Sequence, residues 1–463
     1  MIPRSGFSQW VRGRRAVVFG LARSGQAAAA LLHARGARVV GVDEGDSARA
    51  LLDGEWGRGH LETGSAVAVA GLLDGAELLV LSPGIPPTHP FVRAALMRGI
   101  PVRSEIEIGF LACPAAVVAV TGSKGKSTTT ALTGALLAAQ GKRCRVAGNI
   151  GRPYCEVADE LGAGDWVVLE VSSFQLETVD AFHARVAVLL PISPDHLDRY
   201  PNLEAYAEAK LRIARHQESS DVLVLDPADR WGASLAAASG AQVLGFGTAW
   251  RGAGVERRGN DLVWLAGASA ERLAGAADVP LLGAHNLRNA MAALAVARAL
   301  GPVDEAVRAA LREFQALRFR MQPLGEIAGI RFINDSKGTT VEAVRAGVEG
   351  LDGTLLLGLG GRNKDLDFTP LRAHLGRVRC VFTFGESAPE IERALAGAGH
   401  LERVRDLDEL VARALELGRP GDTFLFSPGC TSFDMFRNAE HRGEEFDAAV
   451  RRARSRVEEA RRS

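Results

Sequence analysis

The residues with the clearest chemistry stand in the run AAVVAVTGSKGKSTTTALTGALLAAQG, residues 115–141. An apolar strand leads into Gly122, Ser123, Lys124, Gly125, Lys126, Ser127 and Thr128, and an Ala/Leu-rich helix follows. Glycines there let backbone N–H groups close on phosphate oxygens, and the positive end of the helix adds to the attraction. Lys126 would meet β- and γ-phosphates, and the Ser127 hydroxyl would serve Mg²⁺. A full phosphate-loop pattern has a further glycine at position 120, where this chain has Val120, so the loop is a shortened variant. A Gly-rich strand–helix turn without a ligand is the plainer reading, but strand, loop and helix stand in the order phosphate binding needs.

Two segments downstream could complete such a site. Glu170 ends the strand of LEVSSFQLE, residues 169–177, where an acid can reach Mg²⁺ on a triphosphate. Alone, it would read as a solvated edge carboxylate. His196 follows another apolar strand, and Lys210 sits on the helix after it. A lone histidine is more often structural than a ligand, but this one trails a phosphate loop in the same predicted sheet. Near the N-terminus, residues 20–25 (GLARSG) carry Gly20 and Gly25 without a full GxGxxG, and Asp43 ends the next strand. That spacing suits a diphosphate-linked nucleotide as well as a redox dinucleotide. Residues 362–366 (RNKDL) have Leu366 where guanine recognition needs an acid, which argues against GTP.

These groups need elements to hold them, and the chain is built to supply them. At ~150 residues per domain, 463 residues make roughly three domains. Short Val/Leu strands alternate with helices in each third, which predicts α/β architecture with mostly parallel sheets. The expected division is 1–106, 107–316 and 317–463, with small strands or hairpins over residues 249–275. The segment closing the chain, RRARSRVEEARRS, reads as the exposed face of a helix.

Composition narrows the function classes. Lys and Arg number 55 against 55 Asp and Glu, which argues against a nucleic-acid coat. No apolar run approaches the ~18 residues of a membrane span, and the first residues lack the apolar core of a signal peptide. Five widely spaced cysteines without a CxxC pair suggest reduced thiols, hence a cytoplasmic protein.

With these residues in place, the sequence resembles the Mur ligase family over essentially its whole length. The shared motifs are SPGIP (82–86), TGSKGKST (121–128), GNIG (148–151), HNLRNA (285–290) and NDSKGTT (334–340). LEVSSFQLE (169–177), DHLDRY (195–200) and SPGCTSFDMFRNAEHRGEEF (427–446) point to its D-glutamate-adding branch. The resemblance implies a Rossmann-like UDP-sugar domain, a P-loop-type central ATPase, and a Rossmann-like domain that closes over the amino acid. It implies ATP-dependent addition of D-glutamate to UDP-N-acetylmuramoyl-L-alanine through an acyl phosphate, in peptidoglycan precursor synthesis, by a monomer.

Residue by residue, the resemblance implies that Gly122 to Thr128, Asn286, Asn289, Arg320 and Asp335 hold ATP. Ser127, Glu170, His196 and Lys210 would hold two Mg²⁺ ions, with Lys210 carbamylated, and Lys126, His196 and Lys210 would be catalytic. Leu21, Ala22, Arg23, Ser24, Asp43, Ser82, Pro83, Gly84 and Asn149 would meet the UDP-sugar. Lys337, Thr339, Lys364, Ser432 and Phe433 would receive D-glutamate. The chain departs from the family pattern at Lys124 (usually Asn), Phe319 (commonly His), Asp43-Glu44-Gly45 (no Arg just after the acid) and Ala439 (commonly an aromatic). Phe319 is expected to keep a stacking face for adenine. Other amide ligases of the superfamily, such as folylpolyglutamate synthases, are the nearest alternative. A nucleotide switch has no need of the Lys337 and Lys364 pair, and an oxidoreductase would place its better phosphate loop first.

Overall fold

The computed structural model describes residues 2–44, 62–64, 70–197, 199–247, 250 and 252–462. Gly45 and Asp198 of the sequence motifs lie outside the described residues. The chain is α/β, and among the described residues its strands form three sheets. By contacts the chain divides into two units, residues 1–279 with 288–314, and residues 280–287 with 315–463.

The first unit holds two of the sheets. One comprises β1 (Arg15–Phe19), β2 (Arg38–Val42), β3 (Glu62–Gly64), β4 (Leu78–Leu81) and β5 (Val102–Ser104), ordered β3-β2-β1-β4-β5 and parallel throughout. Its central strands are buried on both faces, which is why they read as unbroken apolar runs.

The other contains β6 (Ala116–Thr121), β7 (Cys144–Gly148), β8 (Trp166–Glu170), β9 (Val186–Leu189), β10 (Val222–Leu225) and β11 (Gln242–Gly247). It extends through β12 (Gly254–Arg258), β13 (Asp261–Ala266) and β14 (Ser269–Gly275) in the order β14-β13-β12-β11-β10-β9-β6-β8-β7. The β12–β13 and β13–β14 pairs are antiparallel, matching the hairpins expected over residues 249–275.

The second unit is built on β15 (Gln322–Ile327), β16 (Ile330–Asn334), β17 (Leu355–Gly360), β18 (Val378–Phe384), β19 (Leu401–Arg403) and β20 (Thr423–Gly429). Their order is β15-β16-β20-β17-β18-β19, with only the β15–β16 pair antiparallel. The helix Ala439–Arg462 follows β20, and Phe446, Ala449 and Val450 on it join the core with Phe424 and Phe426. None of the described helices is long and apolar enough to cross a membrane.

The helix Glu105–Ala112 joins the first two sheets, and its first turn carries two buried acids. Glu105 Oε1 accepts from the Cys155 N–H at 2.6 Å, while Oε2 is buried without a hydrogen-bond partner among the described residues. Glu107 accepts from the N–H groups of Ala181 and Phe182 at 2.7 and 3.0 Å. Two carboxylates thus hold the backbone of segments that connect strands of the second sheet.

Burial outweighs the Cys155 hydrogen bonds and pushes Glu105 up from 4.5 to about 7. Because the folded value is the higher one, the folded state binds the proton more tightly, and stability falls as pH rises from 4.5 to 7. At one unit per 1.36 kcal/mol the loss is about 3 kcal/mol. Glu105→Gln removes that ionisation. Its stability relative to wild type, measured by urea denaturation at pH 5 and pH 8, is expected to rise by about that amount.

Candidate active site

The central site forms where three adjacent strands end. In the order β9-β6-β8, the loop after β6 holds residues 122–125, β8 ends on Glu170, and residues 190–197 follow β9. Gly122 and Gly125 have φ of 146° and 85°, backbone that favours glycine. A Cβ on Gly122 would lie 2.5 Å from Leu190 Cβ, and one on Gly125 would run into the Asn289 side chain. The loop can therefore press against its neighbours only as glycine. The helix Lys126–Ala139 starts directly behind it, with Ser127 buried in its first turn.

Two lysines reach this loop, and a third stands on it. Lys126 Nζ donates to Gly122 O and Ser123 O at 2.9 and 2.8 Å, and Lys210 Nζ donates to the same Gly122 O at 2.9 Å. Lys210 is 1% exposed and stands 4.5 Å over the Tyr206 ring. Burial, followed by the charge of Lys126, holds its ammonium well below the usual lysine range despite Asp195 and Glu170. Lys124, the departure from the family's Asn, reaches Asp195 Oδ2 at 3.4 Å. Burial raises Asp195, yet Lys124, His196 and Lys126 together bring it below its ordinary value.

Sequence explains how the remaining groups are held. Ser172 accepts from the Gln175 N–H and Gln175 Oε1 accepts from the Ser172 N–H, a capping box that turns the chain immediately after Glu170. Glu170 is 2% exposed; its Oε1 accepts from Asn149 Nδ2 at 2.9 Å, while Oε2 is buried with no hydrogen-bond partner among the described residues. Asn149, grouped above with the UDP-sugar, is thus bonded to Glu170. His196 sits at φ 55°, its ring 4.8 Å edge-on from Phe174, with Nε2 3.9 Å from Asp195 Oδ1. Asn202 caps the helix Leu203–Leu211, which carries Lys210 in its last turn.

The same construction recurs at the other two sheets. In the order β2-β1-β4, Leu21 to Ser24 follow β1, Asp43 follows β2, and Ser82 to Gly84 follow β4. Asp43 Oδ2 accepts from the Leu21 N–H, and Ser82 Oγ donates to Gly20 O at 2.5 Å. Leu21 itself is buried, and its carbonyl accepts from Gln26 Nε2 at 2.8 Å.

In the order β16-β20-β17, Asp335, Lys337 and Thr339 follow β16, Ser432 and Phe433 follow β20, and Lys364 follows β17. Asp335 accepts from the Met321 N–H and from Ser427 Oγ at 3.1 and 2.7 Å. Lys337 pairs with Glu440 at 2.9 Å, Ser432 is buried, and Lys364 and Phe433 are exposed. Burial raises Glu440, but Lys337 lowers it further, to below its ordinary value. Arg320 lies in the turn before β15, in the same unit as Asn286, whereas Asn289 belongs to the first unit. The Phe319 ring is 3% exposed and packs on Gly443, so the stacking face expected for adenine is already covered by protein.

Two positioning arginines were not assigned from sequence, although both stand inside quoted motifs. Arg199 of DHLDRY donates to Pro83 O and Ile85 O at 3.0 and 3.2 Å, pairs with Glu177, and lies 4.0 Å over the Phe174 ring. It ties the loop after β4 to the central site. Arg442 is fully buried, donating to Ser336 O at 2.8 Å, Thr431 O at 3.1 Å and Gly360 O at 3.5 Å. One guanidinium thus joins the loops after β16 and β20 to the end of β17, and burial lowers it to about 10. Their places inside DHLDRY and the 427–446 segment were the available signal; the partners are remote carbonyls that no local pattern encodes.

Comparison with known proteins agrees with this geometry. The Mur ligase middle domain family matches residues 120–297, and the Mur ligase glutamate ligase domain family matches residues 319–430. The UDP-N-acetylmuramoylalanine–D-glutamate ligase of Acidobacterium capsulatum is 38% identical, aligned over 95% of this chain and 96% of its own. That of Anaeromyxobacter dehalogenans is 40% identical over 94% and 97%. Among solved structures, MurF ligase from Thermotoga maritima in complex with ADP has the same fold, with a TM-score of 0.60 at 18% identity, covering 96% of this chain and 97% of that one. A phosphate loop flanked by Glu170 and Lys210, and relatives matched nearly end to end, lead to one conclusion: the chain belongs to the Mur ligase family, in its UDP-N-acetylmuramoylalanine–D-glutamate ligase branch.

Proposed function

We propose that the protein joins D-glutamate to the L-alanine carboxylate of UDP-N-acetylmuramoyl-L-alanine, at the cost of one ATP, in the cytoplasm. The observation that carries this reading is the meeting of Lys126, Lys210 and Glu170 around the loop after β6. The substrate carboxylate attacks the γ-phosphorus, the bond to the β-phosphate oxygen breaks, and ADP leaves an acyl phosphate. The D-glutamate amine then attacks the acyl carbon, loses a proton, and inorganic phosphate departs. Joining one anion to another demands cations and alignment more than covalent help from the protein.

In this reading, residues 1–106 bind the UDP-sugar, 107–316 bind ATP, and 317–463 bind D-glutamate. Residues 122–128 cradle the triphosphate, and Lys126 turns from its two carbonyls to the phosphate oxygens. The buried Glu170 Oε2 is a fitting ligand for Mg²⁺, together with Ser127, His196 and Lys210. The metal would offset phosphate charge when bound.

Lys210 fits a metal only as an anion. Its depressed basicity, caused first by burial and then by the charge of Lys126, favours the neutral amine, and that form adds CO₂, releasing a proton and leaving a carbamate. Asn286, Asn289, Arg320 and Asp335 serve the nucleotide. Lys337, Thr339, Lys364, Ser432 and Phe433 receive D-glutamate, with a substrate carboxylate taking the place of Glu440 on Lys337.

Phosphate release from ATP, measured with UDP-N-acetylmuramoyl-L-alanine across a panel of amino acids, tests the reading. D-glutamate is expected to support turnover, and L-glutamate or meso-diaminopimelate to support little. Equal turnover with either of those would overturn the assignment of substrate.

A further inference from the structure

Away from the loops that follow β16, β20 and β17, the third sheet gathers a thiol, an imidazole and a carboxylate. β18 and β19 run parallel with Val381 opposite Leu401 and Phe382 opposite Glu402. One residue earlier in this register, Cys380 faces His400. Side chains alternate along a strand, so Cys380, His400 and Glu402 share one face. Their Sγ, imidazole nitrogen and carboxylate oxygen lie within 4.8 Å of one another, the one such group among the described residues.

The surroundings grade from dry to wet across the trio. Cys380 is fully buried and packs with Leu407, Leu410, Val411 and Ala414 of the helix Leu407–Leu417. Glu402 is half-buried and held at both oxygens by Arg413 of that helix, Nε on Oε1 and Nη2 on Oε2 at 3.0 Å. His400 is exposed. An ion arriving from solvent therefore meets the imidazole first and the sulfur last.

We propose that Cys380, His400 and Glu402 form a binding site for a divalent transition-metal ion of the zinc class, with water as its fourth ligand. Donor chemistry sets the class. Thiolate and imidazole favour zinc-like ions over Mg²⁺, which keeps to oxygen ligands. Ligand atoms around a tetrahedral zinc lie about 3.3–3.7 Å apart. Rotations of His400 and Glu402, the less buried pair, close the remaining distance while Cys380 keeps its place in the core. Glu402 exchanges one of its two Arg413 hydrogen bonds for the ion and keeps the other.

On binding, the Cys380 S–H bond breaks, the proton passes to water, and the sulfur lone pair forms the metal–sulfur bond. Burial, and then Glu402, push the free thiol up to about 12, so the charge of the ion is what stabilises the thiolate. The site would fasten the edge strand β19 to β18, and it rests on this sheet alone rather than on the ligase reading.

Cobalt(II) titrated into the reduced full-length chain, with Mg²⁺ in excess, tests the proposal, because cobalt reports thiolate ligation by a charge-transfer absorption. The band is expected to saturate at one ion per chain and to disappear when Zn²⁺ displaces cobalt. Cys380→Ser is expected to abolish it. His400→Ala, at an exposed position where folding is not at stake, is expected to weaken cobalt binding by about tenfold or more. Cys144→Ser, which removes the half-buried thiol of β7, is expected to leave it unchanged. Absence of the band in wild type, its survival in Cys380→Ser, or unchanged affinity in His400→Ala would overturn the site.

Discussion

Replacing Lys126 by alanine is expected to lower acyl-phosphate formation by about a thousandfold, or about 4 kcal/mol of barrier. The ammonium already lies against the loop, bonded to Gly122 O and Ser123 O, so it needs only a rotation to meet the γ-phosphate. There its charge is most useful as the substrate carboxylate approaches and negative charge accumulates. Trapping the acyl phosphate by reduction, beside phosphate release, separates loss of this step from loss of substrate binding. Lys124→Ala makes an informative partner because Lys124 is paired with Asp195 at 3.4 Å and should cost far less. Normal trapping in Lys126→Ala would remove Lys126 from the chemistry.

Lys210→Ala is expected to reduce turnover by at least about a hundredfold, with partial rescue by a small carboxylate such as propionate. The physical basis is the burial of an amine beside Lys126, which makes the ammonium costly and the neutral form available to CO₂. A carbamate supplies oxygens where an ammonium would repel a metal. Because carbamylation releases a proton, raising pH or CO₂ should favour it, and activity should fall when CO₂ is stripped below neutral pH. A carbamate carbon signal from ¹³CO₂-labelled wild type, lost in Lys210→Ala, reads the modification without reference to activity. Full turnover in Lys210→Ala at limiting Mg²⁺ would exclude the role.

Much of the fold was legible because local rules and tertiary demands agreed. Apolar runs such as those of β6, β8 and β9 are buried on both faces, and their continuous Val/Leu pattern announced parallel strands. The SSFQ segment encodes its own capping box, and glycines at 122 and 125 meet φ values that favour glycine. The resemblance carried residue roles further than spacing could. It did not anticipate the burial of Phe319, whose ring faces Gly443 from a residue 124 positions away in sequence. Neither Arg199 nor Arg442 could be assigned, since each binds carbonyls that become neighbours only when loops converge.

Charge balance illustrates the same division. Equal numbers of acids and bases excluded a nucleic-acid coat, but they concealed Lys124, Lys126 and Lys210 gathered around one loop. By itself, the sequence determined the α/β class, the phosphate loop and the family, because strand periodicity, glycine placement and motif spacing are properties of short segments. The tertiary structure decided which segments meet. Strand order sets β8 and β9 on either side of β6, and likewise β2 and β4 beside β1, and β16 and β17 beside β20. Parallel strands end on the same edge of their sheet, so groups far apart in sequence share one ligand-facing rim. That order follows from packing apolar faces over the whole chain, which no short segment contains.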